Sequence, residues 1–263
     1  MTKRFKKYFK IWWMMSRNSF SVVLGQRLAL SFFLVGKILR FIFFFGFLYF
    51  LLLGNSTLAG YTSNQIIFFF LTFNLIDVIT QFLFREVYNF RPMIINGDFD
   101  LVLVKPLNAL FRVLMGGADI IDLITIPPLI ILTIYYGALL HPAFYQTMLF
   151  LVLLVNGFLI ATAFHIIVLS FAIVTLEVDH TTMIYRDLTS LGRLPVDIYK
   201  EPLKAFLTYL IPVGIMMTLP AKAAMGLVAP MGILVAFLVG AIALIVAFRF
   251  WNYALTKYSS ASS

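Results

Sequence analysis

The chain has 263 residues, of which 62% are hydrophobic and only 12% charged, with a net charge of +9 and a mean hydropathy of +0.99. A soluble domain carries about 25% charged residues, so this balance excludes an ordinary soluble fold and points to an integral membrane protein. Cysteine is absent, which excludes disulfides, thiolate metal sites and cysteine nucleophiles.

The first element is a basic amphipathic helix. Lys3, Arg4, Lys6, Lys7 and Lys10 supply cations, while Phe5, Tyr8, Phe9 and Trp12 recur at i, i+3, i+4 and i+7 and share the opposite face. Such a helix lies in the headgroup region with its cations near anionic lipid and its aromatics in the boundary. Seven of the 20 Lys and Arg precede Leu28, so the positive charge reads as membrane-surface attraction and not as nucleic-acid binding. The apolar stretch that follows is too long for a signal-peptide core, and no small-residue cleavage site follows it.

A helix needs about 20 apolar residues to cross the hydrocarbon layer. Span one runs from about Leu28 to Leu53, span two from Asn64 to Phe84, span three from Ala118 to Tyr136 and span four from Phe144 to Leu176; a last span runs from Val228 to Trp251. Long continuous runs exclude alternating β-barrel strands. The connections Gly54 to Ser63 and Gly137 to Ala143 carry no charge, whereas the one after span two carries Arg85, Arg91, Lys105 and Arg112. The cationic segments therefore face the cytoplasm, and with Lys257 also expected there the crossings are even in number, six being the natural count. The remaining crossing is either Val178–Leu194, rich in charge, or Leu203–Leu227, broken by Pro212 and Pro220 and holding Lys222. The sequence alone leaves that choice open.

Within the spans, Arg40 and Asp77 each lie 13 residues below the outer end of their helix, or roughly 20 Å at 1.5 Å per residue. Neighbouring antiparallel helices would bring the two to one level, and Lys37 near Gln81. A structural ion pair is expected, with snorkelling of the cations or a coupling role as alternatives. Asp119 and Asp122 suit the positive N-terminus of span three, and Pro127-Pro128 should bend it. His165 reads as a core histidine bonded to a neighbouring helix and His141 as a solvated loop residue. Glu177, Asp179, His180, Arg186, Asp187 and Arg193 form the best candidate for a translocation pathway or a buried ion network. His180 beside two acids also invites a hydrolase reading, but no nucleophile elbow accompanies it.

The most specific segment runs Asn96-Gly97-Asp98-Phe99-Asp100-Leu101-Val102-Leu103-Val104-Lys105-Pro106-Leu107. Turn residues open it and Pro106 stops any helix; Leu107, Leu110, Phe111 and Leu114 then mark a second interfacial helix, ended by Gly116-Gly117. Later come Leu194-Pro195-Val196-Asp197-Ile198-Tyr199, Ile211-Pro212-Val213 and Leu219-Pro220-Ala221. In this order and spacing the segments resemble the ABC-2 type permeases, in particular the branch with a Gly-Asp-x-Asp-x-x-Leu-x-Lys/Arg-Pro-Leu loop and a Pro-x-x-Ile-Tyr stretch.

The resemblance implies an all-α integral membrane domain of six transmembrane helices over residues 1–263. It would have an N-terminal amphipathic connecting helix (1–27), a cytoplasmic coupling loop (85–117) and re-entrant helices (195–227) before the last span, which favours Val178–Leu194 as the fifth crossing. It implies a permease that exports across the cell membrane as a homodimer or heterodimer, worked by two copies of a separate ABC ATPase subunit. Asn96, Gly97, Asp98, Phe99, Asp100, Leu101, Lys105 and Pro106 would dock on that ATPase, Asp98 and Asp100 meeting its cations while Phe99 and Leu101 fill a groove. No Gly-x4-Gly-Lys-Ser/Thr pattern occurs, so ATP is expected on the partner, with no cofactor, no nucleic acid and no catalysis on this chain. A membrane-embedded enzyme acting on lipids and a secondary transporter are the competing classes; the second usually shows internal repeats, and none is convincing here.

Overall fold

The computed structural model describes residues 3–53, 57–175 and 178–259. Helix α1 (Lys3–Gly25) leads through Gln26 into α2 (Arg27–Leu53), and a short hairpin, β1 (Thr57–Leu58) with β2 (Tyr61–Thr62), turns the chain into α3 (Ser63–Phe84). Thr62 and Gln65 open α3 with a capping box, Gln65 Oε1 accepting the Thr62 N–H at 2.8 Å. A 3₁₀ turn over Arg85–Asn89 and three short helices follow: α4 (Phe90–Ile95), α5 (Asp98–Leu103) and α6 (Ala109–Leu114). Next come α7 (Ile120–Ala138), α8 (Phe144–Thr175) and α9 (Val178–Ser190). A broken stretch holds α10 (Leu203–Ala205), two π-helical turns and α11 (Leu219–Ala224), and α12 (Pro230–Lys257) ends the bundle.

Among the described residues, five helices are long and apolar enough to cross a membrane, at the places the sequence indicates. The sixth candidate is Leu203–Leu210 joined to Gly214–Ala224, two pieces bent by 77°. Both ends of that stretch lie at the hairpin end of the bundle, where Asp197 meets Tyr61 and Gly226 abuts Gln146 at the start of α8. Pro212 accounts for the break, because it removes a donor where a continuous helix needs one.

Helices α3 and α8 form the centre. Their aromatic and β-branched side chains thread two apolar clusters. One, towards the hairpin end, joins Phe68, Phe70 and Ile76 to Leu129, Phe150 and Met216; the other, towards the α1 end, joins Phe84, Phe90 and Phe99 to Val113, Leu169 and Trp251. Close approach needs glycine at several places, Gly157 and Gly240 among them. A Cβ on Gly157 would sit 2.6 Å from the Met216 carbonyl oxygen, and one on Gly240 would sit 2.2 Å from Asn156 Oδ1, whose amide nitrogen donates to the Ala236 carbonyl at 3.0 Å. In contrast, the most apolar stretch of α2 has no buried residue. Aromatic contacts of Phe41, Phe44 and Phe45 with Phe70 hold its C-terminal half.

Three expectations change here. Helix α1 does not give all its aromatics to the membrane boundary: Tyr8 packs edge-on to Phe111 and Trp12 to Phe82, leaving Phe5 and Phe9 exposed. Helix α6 buries Leu110, Val113 and Leu114 in protein, so its apolar face is core and not an interfacial surface. His165 bonds within its own helix, Nδ1 lying 2.8 Å from the Ala161 carbonyl oxygen, while Phe84 and Tyr185 wall the ring.

Candidate functional site

At the α1 end, Asn96 and Gly97 form the expected turn, Gly97 taking the left-handed φ of 77° that glycine adopts without strain. The residues after it are not an open loop, because Asp98–Leu103 winds into α5. Phe99 is fully buried, edge-on to Phe90 (5.1 Å between centroids) and Tyr258 (5.0 Å) and against Trp251. This overturns its expected place in a partner's groove: the ring anchors α5 to the end of α12. Asp100 sits beside Tyr258, whose hydroxyl is pushed up to about 12, by burial first and then by the carboxylate. What α5 leaves outside is Asn96, Asp98, Leu101, Leu103, Lys105 and Pro106, with Val104 80% exposed and Ile95 next to them. Helix α1 clips the far end of the segment. Lys7 Nζ donates to the Pro106 carbonyl at 3.5 Å, the Asn108 N–H donates to the Tyr8 hydroxyl, and the Ala118 N–H donates to Ser16 Oγ at 3.3 Å.

Between α2 and the α3–α7 pair runs a seam of ion pairs. Arg40 Nη2 stands 4.0 Å from Asp77 Oδ2, at the limit of a direct pair. Lys37 lines a cavity with Gln81, as the depth count places it, and bonds Asp122 on α7. Lower down, Arg85 Nε lies 3.4 Å from Asp119 Oδ2 and Arg112 Nη1 donates to Glu86 Oε1 at 2.8 Å. Asp119 also caps α7, accepting the Ile121 N–H at 2.8 Å, as its position before the first turn suggests. Gly116 makes room for the Arg112–Glu86 pair, since a Cβ there would overlap both side chains.

On α9, Tyr185, Thr182 and Thr189 face the chain, and Met183, Ile184, Arg186 and Asp187 are exposed together. Arg193 is exposed on the 3₁₀ turn that follows. Glu177 and the side chains of Asp179 and His180 lie outside the described residues.

At the hairpin end is a cluster that sequence reasoning missed. Asp197 accepts from Lys222 Nζ (2.8 Å), Lys204 Nζ (2.9 Å) and the Tyr61 hydroxyl (2.9 Å), so one carboxylate joins β2, the turn after α9, α10 and α11. Burial pushes the Asp197 carboxyl up, but the hydrogen bonds from Lys222, Lys204 and Tyr61 outweigh it and hold the group at about 2. Tyr61 is driven above its usual range by burial, then by that carboxylate. The one available signal was Lys222: a cation inside an apolar run requires a counter-ion.

These elements define a multi-pass, predominantly helical membrane domain with the short helix α5 anchored at its α1 end. The chain belongs to the ABC-2 family of transporter proteins, whose family model matches residues 37–262, and so is a permease component of an ABC transporter. No curated protein and no solved structure matches it significantly.

Proposed function

We propose that this permease lines the export route of an ATP-driven transporter in the cell membrane, as a dimer with itself or a related permease, and that two separate ATPase subunits drive it. The observation that carries the reading is the exposed ridge Leu101, Leu103 and Val104 at the end of α5, flanked by Asp98 and Lys105. An apolar ridge with charges of both signs at its rim has the make-up of a protein interface. Its anchoring suits a lever. Movement of α5 would pass through Phe99 to Trp251 and Tyr258, and through the Pro106–Lys7 and Asn108–Tyr8 contacts to α1 and so to α2. In this reading the α1 end is cytoplasmic, ATP binds only the partner, and the chain itself is no enzyme.

The mixed face of α9 supports the dimer, because Arg186 and Asp187 beside Met183 and Ile184 suit contact with protein or a water-filled route better than lipid. With α9 as the fifth crossing, Pro195–Leu227 is a re-entrant segment tied down by Asp197. Purifying the complex tests the proposal. A nucleotide-binding subunit should co-purify with the wild-type chain and be lost from Leu101→Asp/Val104→Asp, whose fold is intact by thermal unfolding. Retention of that subunit by the double variant, or transport by the single chain alone, would defeat it.

A further inference from the structure

The seam beside α2 has the form of an amphiphile's container. Two adjoining cavities, of about 510 and 360 Å³, share Phe33, Arg85, Asp119 and Ile121, and between them run from the α1–α2 junction up to Lys37 and Arg40. Directly above the Lys37–Asp122 pair the seam turns apolar: a groove of about 410 Å³ is walled by Ile38, Phe41 and Phe45 of α2 and by Pro128, Leu129 and Leu132 of α7. From Ile121 to Leu132 is about 16 Å along α7 at 1.5 Å per residue, close to the ~15 Å that one leaflet occupies of a ~30 Å hydrocarbon core.

The polar part is neutral as paired, yet it presents its positive ends. The Arg40 and Arg85 side chains remain 45% and 48% exposed, while their acids, Asp77 and Asp119, are only 21% and 13% exposed. The Arg40 and Arg85 guanidiniums stand 4.0 and 3.4 Å from their carboxylates, and five N–H donors on each exceed what one carboxylate takes, which leaves donors for a second oxyanion. Arg40, Arg85 and Gln81 line the same cavity. A bare anion would satisfy these donors but leave the groove above empty; a bare hydrocarbon would fill the groove and leave the donors unused.

We infer that the seam between α2 and α7 is a seat for one anionic phospholipid, its phosphate received by Arg85 and Arg40 and an acyl chain laid against α2 and α7. The lipid takes the place of the protein packing that α2 lacks, and the inference does not rest on the transport reading. Full-length protein purified in mild detergent, with any subunits it carries, is exchanged into phosphatidylcholine bilayers containing phosphatidylglycerol, and the lipid retained is read by native mass spectrometry. Wild type should keep phosphatidylglycerol in preference to phosphatidylcholine, and Arg40→Gln and Arg85→Gln should each weaken that retention roughly tenfold. Leu132→Trp, which fills the groove with both arginines intact, should also release the lipid, and Lys200→Gln, an exposed cation at the hairpin end, should not. Added inorganic phosphate should not compete. Unchanged retention in the two arginine variants, equal retention of phosphatidylcholine, or displacement by phosphate alone would each overturn the inference. If an arginine variant fails to fold, retention in Leu132→Trp decides the matter.

Discussion

Gly157 sets the position of the broken stretch, and replacing it with alanine puts two opposing effects on one atom. Alanine favours a helix by about 1 kcal/mol over glycine. The new Cβ, however, would stand 2.6 Å from the Met216 carbonyl oxygen and 3.2 Å from Ile76 Cδ1, where ordinary contact begins at 3.4 Å. Ile76 can turn its methyl away. Met216 cannot move its carbonyl without shifting the π-helical turn Gly214–Thr218, a displacement of about 0.8 Å. Overpacking of this kind costs about 1–3 kcal/mol, so the clash outweighs the propensity gain over most of that range and Gly157→Ala should lose up to about 2 kcal/mol net. Gly46 is the matched control, because a Cβ there meets nothing within 4 Å, and Gly46→Ala should gain up to about 1 kcal/mol. Thermal unfolding in detergent, followed as monodisperse protein remaining, should place Gly157→Ala several degrees below wild type and Gly46→Ala at or above it, at roughly 2–4 °C per kcal/mol. If the two alanines behave alike, the close approach of α8 to the broken stretch is not what the geometry says.

Lys37→Met should cost about 3–5 kcal/mol by stranding a buried carboxylate, and Lys37→Met/Asp122→Leu should recover most of it; additive losses in unfolding experiments would count against the pair. Phe99→Ala should destabilise by about 3–5 kcal/mol, whereas Leu101→Asp on the exposed ridge should stay within about 0.5 kcal/mol of wild type, so stability assays alone separate anchor from ridge. Because the Asp197 carboxyl is held down in the fold, its contribution is present above the ordinary carboxylate range and is lost as pH falls from about 4 through about 2. The stability difference between wild type and Asp197→Asn should therefore be flat above pH ~4 and shrink below it; a difference independent of pH would exclude the ionised carboxylate as the tie.

Hydropathy alone located five spans, since crossing the hydrocarbon layer demands about 20 apolar residues whatever their neighbours. The turn at Gly97 and the cap at Asp119 were equally legible, because both are local: a left-handed φ and an orphan N–H are answered within a few residues. Phe99 was not. An aromatic between two acids in a polar segment reads as surface, and only the arrival of Trp251 and Tyr258, some 150 residues on, makes it core. Helix α1 shows the same limit, as periodicity gave its apolar face but not the division of that face between Phe111 and the membrane.

Charge pairing is where sequence and tertiary structure part most clearly. The sequence raised an ion pair for the cations at positions 37 and 40, with snorkelling as the alternative, and marked Lys222 only as ill suited to a lipid-facing helix, since an isolated charge among apolar helices is costly. Which partner each takes depends on helix adjacency and rotation, to which depth counting is blind. Lys37 therefore pairs with Asp122 on α7, and Lys222 found Asp197 across a break in the chain. A span is fixed by a one-dimensional property, its length in apolar residues. An ion pair, a lipid seat or a docking ridge is fixed by which faces meet, and only folding decides that.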